Sequence, residues 1–130
     1  MRDILFRGKR KENGEWVYGN YAVTDNNEKQ QHFIFQNKAF EFEVVPETVG
    51  QYTGLTDKNG KKIFEGDILR EYHPEQDVII EWSDGSFGFR RANKPKDCVY
   101  STIRYMQNAM SRLKIIGNIY DNTELLEVEE

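Results

Sequence analysis

The pair best suited to chemistry is Glu65 and Asp67, which flank Gly66. Two carboxylates this close could hold a divalent ion or divide acid and base roles between them, as in a metal-dependent hydrolase or nuclease. The same residues suit a tight turn. Gly66 tolerates a positive φ, and the Asp67 carboxylate can accept nearby backbone N–H groups. Turn chemistry alone accounts for them, so the structural reading leads. Upstream, Asp57-Lys58-Asn59-Gly60 opens like a calcium-binding loop. An EF-hand needs glycine sixth and glutamate twelfth. Counted from Asp57, those places hold Lys62 and Ile68, so the calcium reading fails. A type I turn remains, Asp first and Gly last.

Other reactive side chains are scattered. His32 and His73 lie far from each other and from Cys98, the single cysteine. A zinc site wants several Cys or His ligands at short spacings, and a disulfide within one chain is excluded. Cys98 could pair with a distant histidine as a nucleophile, but no signature surrounds it and a free thiol is the expectation. No phosphate loop, dinucleotide fingerprint or nucleophile elbow occurs. The residues therefore call for no cofactor, no metal and no catalytic group. The best nucleic-acid candidate is Trp82, Phe87 and Phe89 followed by Arg90, Arg91, Lys94 and Lys96. A hairpin leading into a basic loop could stack bases and track phosphates. Against it, aromatics that alternate on a hairpin usually face a core, and Phe87 and Phe89 share a face opposite Arg90. A nucleic acid is thus the less favoured partner.

The elements that must position these residues read mainly as strands. Ile and Val total 18 and Phe, Trp and Tyr total 17, against 13 for Ala, Leu and Met. β-branched and aromatic side chains fit a pleated, half-buried surface. With 38% hydrophobic residues, the core must be thin and aromatic-rich. Apolar residues alternate at Ile4/Phe6, Trp16/Tyr18, Tyr21/Val23, Phe33/Phe35 and Phe40/Phe42/Val44, the strand period. Gly19-Asn20 is expected to interrupt the second strand, and the wholly polar 24–31 to form a loop. Val78–Trp82 and Phe87–Arg90 flank Ser83-Asp84-Gly85-Ser86, the strongest hairpin signal in the chain. Ser101 with Ile103, Met106, Met110 and Leu113 predicts one helix at about 101–112, Ser101 serving as N-cap. The expected fold is a small twisted, partly closed barrel or sheet. It would be a single domain with an N-terminal β region (1–48), a barrel-like region (49–122) and a frayed acidic tail (123–130).

The chain has 130 residues and a net charge of −4, one ordinary domain and a poor general binder of nucleic acid. Charge is uneven: residues 1–11 carry +4 and residues 121–130 carry −5. The plain reading is two solvated ends; the sharper one is ends that meet, within one chain or between subunits of a homo-oligomer. No apolar run approaches the ~20 residues of a membrane helix, and Met1–Arg7 has no apolar signal segment. The expectation is a soluble, cytoplasmic protein without a membrane partner.

Three segments resemble the YopX family of phage and prophage proteins. Arg2-Asp3-Ile4-Leu5-Phe6-Arg7 is similar to the family's opening. Residues 49–68 match its core motif through Gln51, Tyr52, Thr53, Gly54, Asp57, Asn59, Gly60, Glu65, Gly66 and Asp67. Ile116–Leu126 matches its ending, with Asp121 in place of Glu and Thr123 in place of Pro. The resemblance implies a small, largely β protein of a phage or prophage, acting in the bacterial cytoplasm, and carries no established activity. It points to a non-catalytic accessory protein that works by protein–protein contact, its partner unnamed. Within the motif, Tyr52 could anchor an interface.

Overall fold

The computed structural model describes residues 4–37, 39–83, 85–92, 99–102 and 111–126. Its strands are β1 (Phe6–Lys9), β2 (Trp16–Asn26), β3 (Lys29–Asn37), β4 (Phe40–Glu43), β5 (Gly50–Thr56), β6 (Lys62–Phe64), β7 (Asp67–Arg70), β8 (Val78–Ser83), β9 (Ser86–Arg91), β10 (Val99–Thr102) and β11 (Lys114–Asn118). The fold is mainly β, with two antiparallel sheets and no closed barrel among the described residues. The chain divides inside β5 into two compact units, Met1–Tyr52 and Thr53–Glu130.

In the first unit the strand order is β4-β3-β2-β1-β5. Period-two alternation sends Phe6, Val17, Tyr21, Ile34, Phe42 and Val44 to one face, where they form the core. The sheet curls until Val44 bridges Arg10. On either side of that bridge Lys11 N–H donates to the Glu43 carbonyl and Val45 N–H to the Lys9 carbonyl, both at 2.9 Å. β2 does not break at Gly19-Asn20. A Cβ at Gly19 would stand 2.1 Å from the Phe35 carbonyl oxygen, so the glycine lets β3 pass close while pairing continues. Nor is 24–31 a loop: Thr24, Asp25 and Asn26 pair with Gln31, Gln30 and Lys29. This end of the hairpin is polar because its residues from Thr24 to Gln30 are exposed. Asn26 closes the turn, its side-chain oxygen accepting the N–H groups of Glu28 and Lys29.

In the second unit the end of β5 pairs with β6, and a separate sheet runs β10-β9-β8-β7-β11. Ile63, Leu69, Val78 and Ile80 form one core, flanked by Leu55, Phe89, Leu113 and Ile115. Ile68, Ile79 and Ala92 form another, covered by Ile116, Ile119, Leu125 and Leu126. A sheet covered on both faces wants unbroken apolar runs, which explains Ile68-Leu69 and Val78-Ile79-Ile80. Each fully buried Ile or Leu contributes about 1.5–3 kcal/mol.

Two expectations are corrected here. Ser101 is no N-cap: it pairs with Phe89, and Thr102 with Gly88, across a bulge in the β9–β10 ladder. The free edge of β9 offers N–H and C=O groups that Val99–Thr102, rich in β-formers, satisfies by pairing. Residues 103–110 of the expected helix lie outside the described residues, and Ser111-Arg112 is a turn. The tail is also not frayed throughout, because Thr123–Leu126 makes a 3-10 turn whose two leucines cover Ile68 and Ile79. The Asp-Gly hairpin forms as expected, Ser83 facing Ser86 and Gly85 at φ +82°.

Candidate functional site

The long motif of residues 51–67 folds as a set of backbone clamps. Asp57 is buried, and its carboxylate accepts three backbone N–H groups. Oδ1 takes those of Asn59 and Lys61 at 2.9 Å each, and Oδ2 takes that of Ile115 in β11 at 3.0 Å. Burial pushes this carboxyl up. The three N–H groups and the Lys61 charge outweigh it and hold the group below the ordinary carboxylate value. Gly60 completes the turn, its N–H donating to the Asp57 carbonyl at 3.0 Å with φ +80°. Thr53 Oγ1 donates to the Ile63 carbonyl and accepts the Leu55 N–H. Gly66 sits at φ +93°. It donates to the Ile80 carbonyl and accepts from Ile119. Gln51 pairs with Phe6. Tyr52 N–H reaches the Leu5 carbonyl, and the residue is 9% exposed. Gly54 likewise sits at φ +89°, a left-handed conformation that favours glycine.

Glu65 and Asp67 do not form an open carboxylate pair. Asp67 is 2% exposed, and its Oδ2 accepts the Phe64 N–H at 2.8 Å, while Glu65 is half-buried. No group of three or more His, Cys, Asp or Glu is placed to hold a metal ion among the described residues. Such an arrangement can stiffen a turn.

The hairpin candidates are also drawn apart. Trp82 is half exposed and packs edge-on against the buried Phe87 at 4.8 Å. Arg90 is 7% exposed and forms an ion pair with Glu81 on the neighbouring strand. Arg91 donates to the Gln76 carbonyl at 2.9 Å. Lys94, Lys96 and Cys98 lie outside the described residues. His32 is hydrogen-bonded and stacked on Tyr21, whose phenol is pushed up by burial. His73 is exposed, its carbonyl accepting the Gln76 N–H.

Sequence reasoning missed two features. Arg70 grips Asp77 with two bonds of 2.8 Å. These bonds hold the guanidinium above its ordinary pKa. The partners sit seven residues apart on either side of a turn, a distance no pattern marks. The second feature is the face of β1–β4 turned away from the core. Trp16 and Tyr18 stand there on β2, Phe33 and Phe35 on β3, with the two phenyl rings 6.2 Å apart. The Arg7 guanidinium lies 4.6 Å and Lys9 Nζ 5.6 Å from the Trp16 ring centre. Tyr18 is 44% exposed. The alternation of Phe33 with Ile34 and Phe35 was the available signal, because the strand period leaves open which set faces inward.

No helix among the described residues is long and apolar enough to cross a membrane. No curated protein matches the chain. Among solved structures it is similar to the crystal structure of protein EF1440 from Enterococcus faecalis. That likeness has 25% identity and a TM-score of 0.55, and covers 98% of this chain and 100% of that one. The family described as YopX protein matches residues 5–127, a span that takes in the clamped motif, both sheets and the C-terminal turn, and the chain belongs to that family.

Proposed function

We propose that this chain is a non-catalytic accessory protein of phage or prophage origin, working in the bacterial cytoplasm through protein–protein contact. The observation that carries this reading is the aromatic face of β1–β4. It presents Tyr18 and half-buried Trp16, Phe33 and Phe35 on the side away from the unit's own core. Aromatic side chains concentrated at a surface are the composition of interface centres. In support, Asp57, Thr53 and Asp67 of the motif hold their own backbone, and Arg90 is held by Glu81. That engagement argues against a catalytic or phosphate-tracking role for them.

The test is chemical cross-linking in cells carrying the tagged full chain, followed by capture and mass spectrometry. Cross-links from the β1–β4 face to a protein, whether another copy or a different chain, are the expected result. Recovery of nuclease-sensitive nucleic acid with no protein cross-links on that face would overturn the reading.

A further inference from the structure

The second unit gathers four of the chain's ten lysines at the start of β11. Lys58, Lys61 and Lys62 stand in and beside the turn that Asp57 clamps, and Lys114 opens β11. Two bonds bring these segments together. Lys58 N–H donates to the Leu113 carbonyl at 2.9 Å, and Ile115 N–H to Asp57 Oδ2 at 3.0 Å. All four lysines are exposed, as are Asn59 and Arg112. Arg112 is engaged by Glu71 at 3.4 Å, but among the described residues no carboxylate forms an ion pair with Lys58, Lys61 or Lys114. Residues 58–62 and 111–118 contain no acid. Asp57, buried in the turn, offsets one of the four charges at most.

Like charges gathered in this way repel, a cost that a bound polyanion relieves. In a chain of net charge −4 the cluster is a local field of the opposite sign. Its composition separates the candidate anions. Lysine is depleted at the centres of protein interfaces, which favour aromatic side chains, and residues 57–62 and 111–114 include no aromatic. A single strand is held by aromatic platforms on which its bases stack. The phosphates of a duplex need neither: Lys and Arg charges hold them, with neutral donors such as Asn fixing position. Asn59 supplies such a donor at the tip of the turn. The Asp57 clamp already orders that turn, so binding loses little further freedom there.

We propose that the cluster of Lys58, Lys61, Lys62 and Lys114 binds the phosphate backbone of a nucleic-acid duplex without reading its sequence. This contact is separate from the protein contact on the β1–β4 face, and either holds without the other.

The experiment is a fluorescence anisotropy titration of a labelled mixed-sequence DNA duplex with the purified full chain, repeated across a salt series. The wild type is expected to bind at low salt. Its log affinity should fall against log salt with a slope of about −3 to −4, since each neutralised phosphate contributes roughly 0.9. Lys58→Gln and Lys114→Gln should each make the slope shallower by about one. Lys58→Glu combined with Lys114→Glu should lower the affinity at least about tenfold. Lys29→Gln, at the exposed start of β3, should change neither. The substituted side chains are exposed, so the urea midpoints should match the wild type and show that the variants fold. No binding at low salt, or binding indifferent to Lys58 and Lys114, overturns the proposal. So does competition by polyglutamate as strong as that by unlabelled duplex, which would assign the cluster to an acidic protein segment. None of these outcomes bears on cross-links from the β1–β4 face, so the protein-contact reading is decided independently.

Discussion

Single side chains carry much of this fold by standing in for backbone partners. Asp57 is the clearest: one carboxylate ties a turn shut and fastens it to β11. Removing it leaves three N–H groups short of an acceptor, so Asp57→Ala should cost about 2–4 kcal/mol, read as a lowered urea midpoint. Asp57→Asn keeps one acceptor and should cost less. The pH dependence follows from the depressed pKa. The folded value lies below the unfolded one, so the contribution is complete above the unfolded value of about 4 and is lost as pH falls through the folded value. Wild-type stability should therefore drop on acidification below that point, and Asp57→Asn should flatten the drop; parallel curves for the two proteins would contradict the assignment. Arg70→Ala is a companion test. It strands Asp77, 3% exposed, and should cost about 2–3 kcal/mol. Arg70→Lys should restore only part of this, because an ammonium cannot grip both oxygens as the guanidinium fork does.

At the scale of elements, the decisive features are places where backbone must come close. Gly19 is the fourth residue of an eleven-residue strand, where propensity reads it as a break. Its contact with β3 explains its presence, and Gly19→Ala should force the β2–β3 pair apart at a cost above ~3 kcal/mol, seen as a large fall in melting temperature. The C-terminal turn works alike. A Cβ at Gly117 would meet Asn122 Oδ1 at 2.4 Å, and that oxygen accepts the Asn118 N–H. This turn delivers Leu125 and Leu126 to the Ile68–Ile79–Ala92 core. Leu126→Ala should cost about 1–2 kcal/mol, since the side chain is only half-buried. Equal stability would mean the turn covers nothing of consequence.

For the whole molecule, each unit has buried packing of its own, one cluster in the first and two in the second among the described residues. Ile34 anchors one and Ile80 another, both fully buried. Ile34→Ala and Ile80→Ala should each cost about 2–4 kcal/mol. Hydrogen exchange should then quicken most in β2–β4 for the first variant and in β7–β9 for the second. Uniform acceleration over both units in either variant would show that they open as one.

The sequence by itself determined the fold class, most strand positions, the turns at Asp57–Gly60 and Ser83–Ser86, and the family. These depend on local quantities: side-chain period, β-branching and the glycines that accept a positive φ. What only the tertiary structure decided is non-local. Period two says that Phe33 and Ile34 point opposite ways, yet only packing puts Ile34 inside and Phe33 out. Ser101 reads as the N-cap of a helix, yet a strand edge draws Ser101 and Thr102 into a ladder. Arg90 reads as a solvent-facing base until Glu81, nine residues earlier, is set beside it across the hairpin. In each case the deciding partner is distant in the chain, and its position exists only once the strands have paired.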